Sequence, residues 1–299
     1  MSASPLRGAT YYLTVAGLGG EPEYDQRFTG LAKDLDKLLK ASSGEAQVFT
    51  LMGKEASRAR LTETFGRIAG QAKPEDDFVL ILIGHGSFDG VEYKFNLVGP
   101  DATAEELARL CNGLPAKRQL IVNTTSASGG SVPALERPGR AVIAATKSGT
   151  EKNATVFCRF WVEALHDPEA DVDKNEAISA LEAFQYAGRK TAAYYESENR
   201  LATEHAVFED TGKGEAVREA SRESGEGLML SSFTLVRFGA AERAANDPAK
   251  RALLAKKEEL ERQIDALKYQ KAALSDEDYK KQLTAALVEL ARVQQELDK

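Results

Sequence analysis

Phe78-Val79-Leu80-Ile81-Leu82-Ile83-Gly84-His85-Gly86-Ser87-Phe88-Asp89-Gly90 is an apolar run that stops at a glycine-rich loop carrying a histidine. A continuous apolar run of this length, bounded by glycines, is the pattern of a strand buried on both faces. The same unit recurs forty residues on. Gln119-Leu120-Ile121-Val122 leads into Thr124-Thr125-Ser126-Ala127-Ser128-Gly129-Gly130, and this loop carries a serine. In an open α/β sheet, the C-terminal ends of the strands meet in the crevice where ligands bind. A base and a hydroxyl at two such ends form a candidate nucleophilic pair. His85 is one of only three histidines in the chain, so its position stands out.

Working outward, strand and helix patterns alternate. Tyr11 to Leu18 reads as a first strand, and Phe28, Leu31, Leu35, Leu38 and Leu39 recur at helical spacing. Gln47 to Met52 reads as a strand, Ala59 to Ile68 as a helix, and the alternating Tyr93, Phe95 and Leu97 as a small hairpin. Thr103 with Glu106 predicts a capped helix ending near Asn112-Gly113. Gln119 to Asn123 and Ala141 to Ala145 are the next strands, Ala154 to Leu165 and Ala177 to Tyr195 are helices, and Ser232 to Phe238 is a last strand. Glu196 to Met229 reads as a long irregular segment, of a length that is often functional. The order predicts an α/β fold, a three-layer α/β/α sandwich with a mostly parallel six-stranded sheet.

The tail differs in kind. Leu253, Leu260, Leu267 and Leu274 fall seven apart, as do Leu283, Leu290 and Leu297. Ser275-Asp276-Glu277-Asp278 interrupts them and offers a helix cap. This predicts a C-terminal α-helical coiled-coil hairpin over residues 246–299, after a main domain of residues 1–245. Such an arm either packs on its own body or serves self-association and partner binding.

Composition bounds the function. The chain has 299 residues, 42% of them apolar and 28% charged, with net charge −7. That balance is globular and argues against a general nucleic-acid binder. Residues 248–299 hold 11 basic and 10 acidic side chains, so the excess acid lies in the body. Cys111 and Cys158 are too few for a disulfide framework. No apolar run approaches the roughly 20 residues that span a bilayer, and Met1 to Arg7 has no signal-peptide core. A soluble protein is expected, with its compartment open.

The strand, His-Gly unit followed by a strand ending in x-Ser-x-Ser-Gly-Gly resembles the caspase-like cysteine peptidases, in particular the legumain-like branch with its bacterial relatives. Two further segments are similar: Ala141-Val142-Ile143-Ala144-Ala145-Thr146-Lys147-Ser148-Gly149, and Thr203-Glu204-His205-Ala206 with Glu209 to Gly214. The resemblance spans roughly Tyr11 to Phe238. It implies a cleft for extended peptides, with His85 as general base, Ser126 at the nucleophile position and the Gly86 amide as oxyanion donor. Thr125, Ala145, Thr146, Lys147 and Arg27 would line that cleft. It implies peptide hydrolysis through an acyl-enzyme if the protein is active, and no required cofactor. One departure matters most, because the family carries cysteine where this chain has Ser126. A serine enzyme, a natural loss of activity giving a peptide-binding or scaffold module, and a laboratory replacement of cysteine are three explanations.

A second constellation is Asp171-Val172-Asp173-Lys174-Asn175-Glu176-Ala177-Ile178-Ser179-Ala180-Leu181-Glu182. Positions 1, 3, 5, 7, 9 and 12 of a calcium loop need oxygen ligands. Asp171, Asp173, Asn175, the Ala177 carbonyl, Ser179 and Glu182 supply them, which makes Ca2+ a candidate ligand. Glu176 stands where such loops have glycine. The plain alternative is an acidic loop capping the following helix. His166 reads as a helix-end residue, and His205 falls in the irregular segment.

Overall fold

The computed structural model describes residues 8–42 and 46–299. The opening stretch read for a signal peptide lies outside the described residues. β1 (Thr10–Ala16) leads into α1 (Pro22–Ser42), β2 (Gln47–Leu51), α2 (Arg58–Ala69) and β3 (Asp77–Ile83). Then come three short strands, β4 (Gly86–Phe88), β5 (Tyr93–Phe95) and β6 (Ala102–Thr103), followed by α3 (Ala104–Asn112). β7 (Arg118–Asn123), the single turn α4 (Val132–Leu135), β8 (Arg140–Ala144) and α5 (Phe157–Ala164) follow. The last part of the body is β9 (Ala177–Ser179), α6 (Ala180–Ser197), β10 (Val207–Glu209), the single turn α7 (Leu228–Ser231), β11 (Thr234–Arg237) and α8 (Gly239–Asn246). α9 (Arg251–Gln270) and α10 (Asp276–Leu297) close the chain.

The central sheet has six strands in the order β10-β8-β7-β3-β1-β2. Five run parallel, and β10 is antiparallel to β8, with Val207 opposite Ala144. Every residue of β3 is buried, which is why its sequence is apolar from Phe78 to Ile83, after Asp77 at its start. Alternate side chains feed two core layers. Tyr12, Val79, Ile81, Val122 and Ile143 pack with Phe28 and Leu35 of α1, Trp161 of α5 and Phe184 of α6. Leu13, Leu80, Ile121 and Val142 pack with Leu61 and Phe65 of α2 and Leu107 of α3. The expected α/β class, three layers and mostly parallel six-stranded sheet are therefore observed. Crossovers from β1 run one way to β2 and the other way to β3, so the sheet has its topological switch at the C-terminal ends of β1 and β3.

Three elements differ from the sequence reading. The sixth strand of the sheet is β10, inside the segment read as irregular. Residues 232–238 instead supply β11, which pairs with β9 in a separate two-stranded sheet. β9 in turn takes the first residues of the stretch read as helix from Ala177, because Ser179 is the N-cap of α6 in a capping box with Glu182. α5 starts at Phe157 and not Ala154. The Glu204 carboxylate accepts the Val156 and Phe157 amides at its N-terminus, at 2.7 and 3.1 Å. The capping box of Thr103 and Glu106 is present as read.

α9 and α10 form a hairpin, its ends tied by Lys250 Nζ donating to the Leu297 carbonyl at 2.6 Å. Ser275 caps α10. α9 buries Leu254, Leu260, Ile264 and Leu267. It also holds the body: Arg237 donates two bonds to Glu258, at 2.5 and 2.9 Å, and Tyr269 donates to the Glu226 carbonyl. The boundary expected at residue 245/246 falls at the last residue of α8.

Candidate active-site crevice

The crevice lies at the C-terminal ends of β1, β3, β7 and β8, and backbone bonds stitch its loops together. The Gly17 amide donates to Ile83 O at 2.8 Å, and the Asn96 amide to His85 O at 3.1 Å. Thr124 binds Leu82 O through both its amide and its hydroxyl. Ala127 takes a left-handed conformation, φ 57°, and donates its amide to Glu151 O at 2.8 Å.

Ser126 and Gly86 are in direct contact. The Gly86 amide donates to Ser126 Oγ at 3.1 Å, and Ser126 Oγ donates to the Gly86 carbonyl at 3.0 Å. Ser126 is 3% exposed. The hydroxyl therefore spends its proton on a backbone carbonyl, and the amide expected to hold an oxyanion is directed at Ser126. Only glycine fits at position 86. A Cβ there would lie 2.6 Å from Ser126 O and 2.6 Å from the Tyr93 ring.

The His85 ring is packed edge-on against Tyr24 and Phe28, with centroids 4.6 and 5.1 Å away. Its pKa is lowered, first by burial and then by the Arg27 charge, against a hydrogen bond with the Gly19 backbone. The imidazole is held as a neutral base. It makes no hydrogen bond with Ser126 among the described residues. Arg27 donates to Thr155 O at 2.7 Å, which places it beside the crevice.

The remaining expected lining residues divide. Thr125, Ala145 and Thr146 are fully buried. The Thr125 hydroxyl belongs to a network with Tyr93 Oη at 2.6 Å and Asn123 Oδ1 at 2.9 Å. The Thr146 hydroxyl accepts the Gly129 amide and donates to Ser148 O. These three residues build the crevice from beneath, while the Lys147 side chain is exposed. Cys111 and Cys158 are buried in α3 and α5, and burial pushes their thiols up to about 12 and about 11. Neither supplies a thiolate.

One pair was invisible to sequence reasoning. Glu151 Oε1 lies 2.6 Å from His205 Nδ1, and Glu151 Oε2 accepts the Lys147 and His205 amides. These partners are 54 residues apart, and no local pattern signals them.

In the acidic loop, Asp171, Asp173 and Glu182 offer carboxylate oxygens within 4.8 Å of one another. Glu176 has φ 66°, the conformation a calcium loop usually assigns to glycine. Asn175 Oδ1 accepts the Ala177 amide, and the Ser179 hydroxyl donates to Glu182. Burial, together with Asp173 and other nearby carboxylates, pushes Glu261 of α9 up to about 7 against the pull of Lys257.

No protein-family model matches the chain, and no curated protein matches it. Among solved structures, the chain is similar to a protein from Geobacter sulfurreducens at 13% identity, with TM-score 0.49, covering 78% of this chain and all of that one. It is similar to caspase-1 from Spodoptera frugiperda at 12% identity, with TM-score 0.46, covering 69% of this chain and 87% of that one. It is also similar to the Drosophila initiator caspase Dronc at 10% identity, with TM-score 0.39, covering 77% and 86%.

The Gly86 contact yields a direct prediction. Gly86→Ala forces the two loops apart and lowers stability by about 1–3 kcal/mol. Denaturant unfolding of the variant against the parent checks it.

Proposed function

We propose that the crevice is a peptide-binding site of the caspase-like type in which Ser126 holds the loops together and does not act as a nucleophile. The observation that carries this is the reciprocal bonding of Ser126 Oγ with Gly86. A serine nucleophile needs a base in hydrogen-bond reach. Here its proton goes to a carbonyl, and the His85 imidazole is engaged with Gly19, Tyr24 and Phe28. A peptide would run past the exposed Lys147, above the buried Ala145 and Thr146, with Arg27 beside it.

One observation favours a second, catalytic reading: His85 is kept unprotonated, as a general base requires. Rotation of Ser126 would free the Gly86 amide for an oxyanion. Oγ would then attack the peptide carbonyl as His85 takes its proton. His85 would return that proton to the leaving amine, and water would release the acyl group.

A fluorophosphonate probe separates the two. No adduct at Ser126 is expected, and an adduct would establish the serine enzyme. Ser126→Cys is expected to gain peptide cleavage that His85→Ala abolishes. Because burial lowers the His85 pKa, the acid limb of its rate profile should lie below the ordinary value near 6.5. A Ser126→Cys protein inert toward a broad peptide library would remove the peptidase-type crevice.

The acidic loop belongs to the same proposal as a calcium site held by Asp171, Asp173, Glu182 and the Ala177 carbonyl, with Asn175 and Ser179 beside them. Support comes from the three converging carboxylates and the left-handed turn at Glu176. A cation that binds only the folded state raises its melting temperature. Calcium should therefore raise the melting temperature over that in chelator, and Glu182→Gln should abolish the difference. Equal melting with and without calcium would dismiss the site.

The hairpin serves assembly in this proposal. α10 buries only Val293 among its described residues, while Leu287 and Val288 are each 47% exposed. Leu287→Lys with Val288→Lys should lower the solution mass measured by light scattering. An unchanged mass would remove the assembly role.

A further inference from the structure

A groove of about 790 Å3 runs between α6 and the segments 202–206 and 217–219 that flank β10. One end is His205. Continuing the β10–β8 register by two residues puts His205 opposite Thr146, on the rim of the crevice. The groove is thus a separate recess that opens next to the proposed peptide path.

Its chemistry is uneven. Arg189 of α6 and Arg218 both line it, and neither has a carboxylate partner among the described residues. Glu204, which also lines it, is already committed to the Val156 and Phe157 amides and the Tyr195 hydroxyl. Thr191 lies at the floor, 5% exposed, and its hydroxyl has no hydrogen-bond partner. Two threonines of α2 satisfy theirs: Thr62 and Thr64 donate to the carbonyls four residues back. The Thr191 hydroxyl is itself closed off from solvent, so it lies beneath the groove and the two arginines carry its polar surface.

The backbone adds a second feature. β10 is the edge strand of the central sheet. Its outer side pairs with Val217 through reciprocal bonds at Phe208, both 2.8 Å. Beyond that bridge, Ala206 borders the groove. An extended peptide can add to such an edge, with main-chain bonds giving affinity and side-chain contacts giving selectivity.

We propose that this groove binds an extended peptide segment bearing a carboxylate side chain, which Arg189 and Arg218 recognise. At about 790 Å3 the recess is far larger than a lone small anion. The chain carries net charge −7, and Glu219 sits beside Arg218 in the lining, so a long polyanion is repelled where one or two local carboxylates are accepted. Arginine suits planar carboxylates because its fork can donate two bonds at once.

The test uses the full chain and labelled short peptides, each in an Asp-containing form and its Asn counterpart, read by fluorescence anisotropy. The Asp form should bind about tenfold more tightly than the Asn form, as for loss of one charge-assisted bond. Arg189→Gln and Arg218→Gln should each remove most of that difference while melting as the parent does, since both side chains are exposed. Arg27→Gln and Lys147→Gln, which change the side chains beside the crevice, should leave the Asp-over-Asn difference unchanged, so failure of the crevice and failure of the groove are told apart. Equal binding of the two peptide forms overturns the proposal. So does a difference that survives both arginine variants, or an oligonucleotide that competes with the same arginine dependence while peptides do not bind.

Discussion

The contact between Gly86 and Ser126 is the interaction on which the loops at the C-terminal ends of the central strands depend. It joins the loops after two adjacent strands, β3 and β7, through one residue's amide and carbonyl. From Gly86 the chain enters β4, which pairs with β5 through Gly86 and Phe95. The small sheet thus hangs from the same point. Tyr93 of β5 then reaches back beneath it. Burial raises the Tyr93 phenol to about 12, so it stays protonated and can share a proton with Thr125 and Asn123. Asn123 in turn donates to Ser131, and Ser131 to the Ser128 carbonyl. A buried polar network of this kind specifies one loop arrangement only because each member is satisfied.

The sheet explains why polar groups concentrate there. A parallel sheet covered on both faces has little place for polar side chains along its strands, and apart from Thr14 in β1 they collect toward the ends of the central strands. The two ends are used differently. At the N-terminal ends, Arg118 pairs with Asp77 at 3.1 Å and lies over the Phe233 ring at 4.7 Å. Arg140 is buried there and donates to Gln119, Leu135 O and Asn112. Long cationic side chains pin that side. At the C-terminal ends of β3 and β7 the groups are short hydroxyls, glycines and the His85 imidazole, with Arg27 and Lys147 to the side. The sheet is therefore anchored by long cations at one end and by short hydroxyls and backbone contacts at the other.

How much of this was legible in the sequence follows from the range of each interaction. β3 and β7 were legible because burial on both faces writes a continuous apolar run. The capping box at Thr103 and Glu106 was legible because its partners are three residues apart. The matching box at Ser179 and Glu182 was legible only as an acidic loop capping the following helix, without its two partners, since the apolar residues from Ala177 suggest one longer helix. β10 was not legible. Three residues are too few for periodicity, and its identity comes from pairing with β8 more than sixty residues earlier. In the crevice, the positions of His85 and Ser126 were legible from strand ends, but the hydrogen bonds were not. Nothing local indicates that Ser126 is bonded to Gly86, that Thr125 faces a tyrosine, or that Glu151 meets His205.

The choice of side chain at position 126 follows from the same geometry. A hydroxyl is a good donor and a good acceptor at once, and here both capacities are used within 3.1 Å. A thiol is weak in both roles. Cysteine at this position would leave the Gly86 amide and carbonyl poorly paired in a nearly dry pocket, and it would be free to turn toward His85. Serine thus makes the loops more rigid and the nucleophile position quieter by the same pair of bonds. Stability and reactivity at this site compete for one amide: while the Gly86 N–H holds Ser126, it cannot hold an oxyanion.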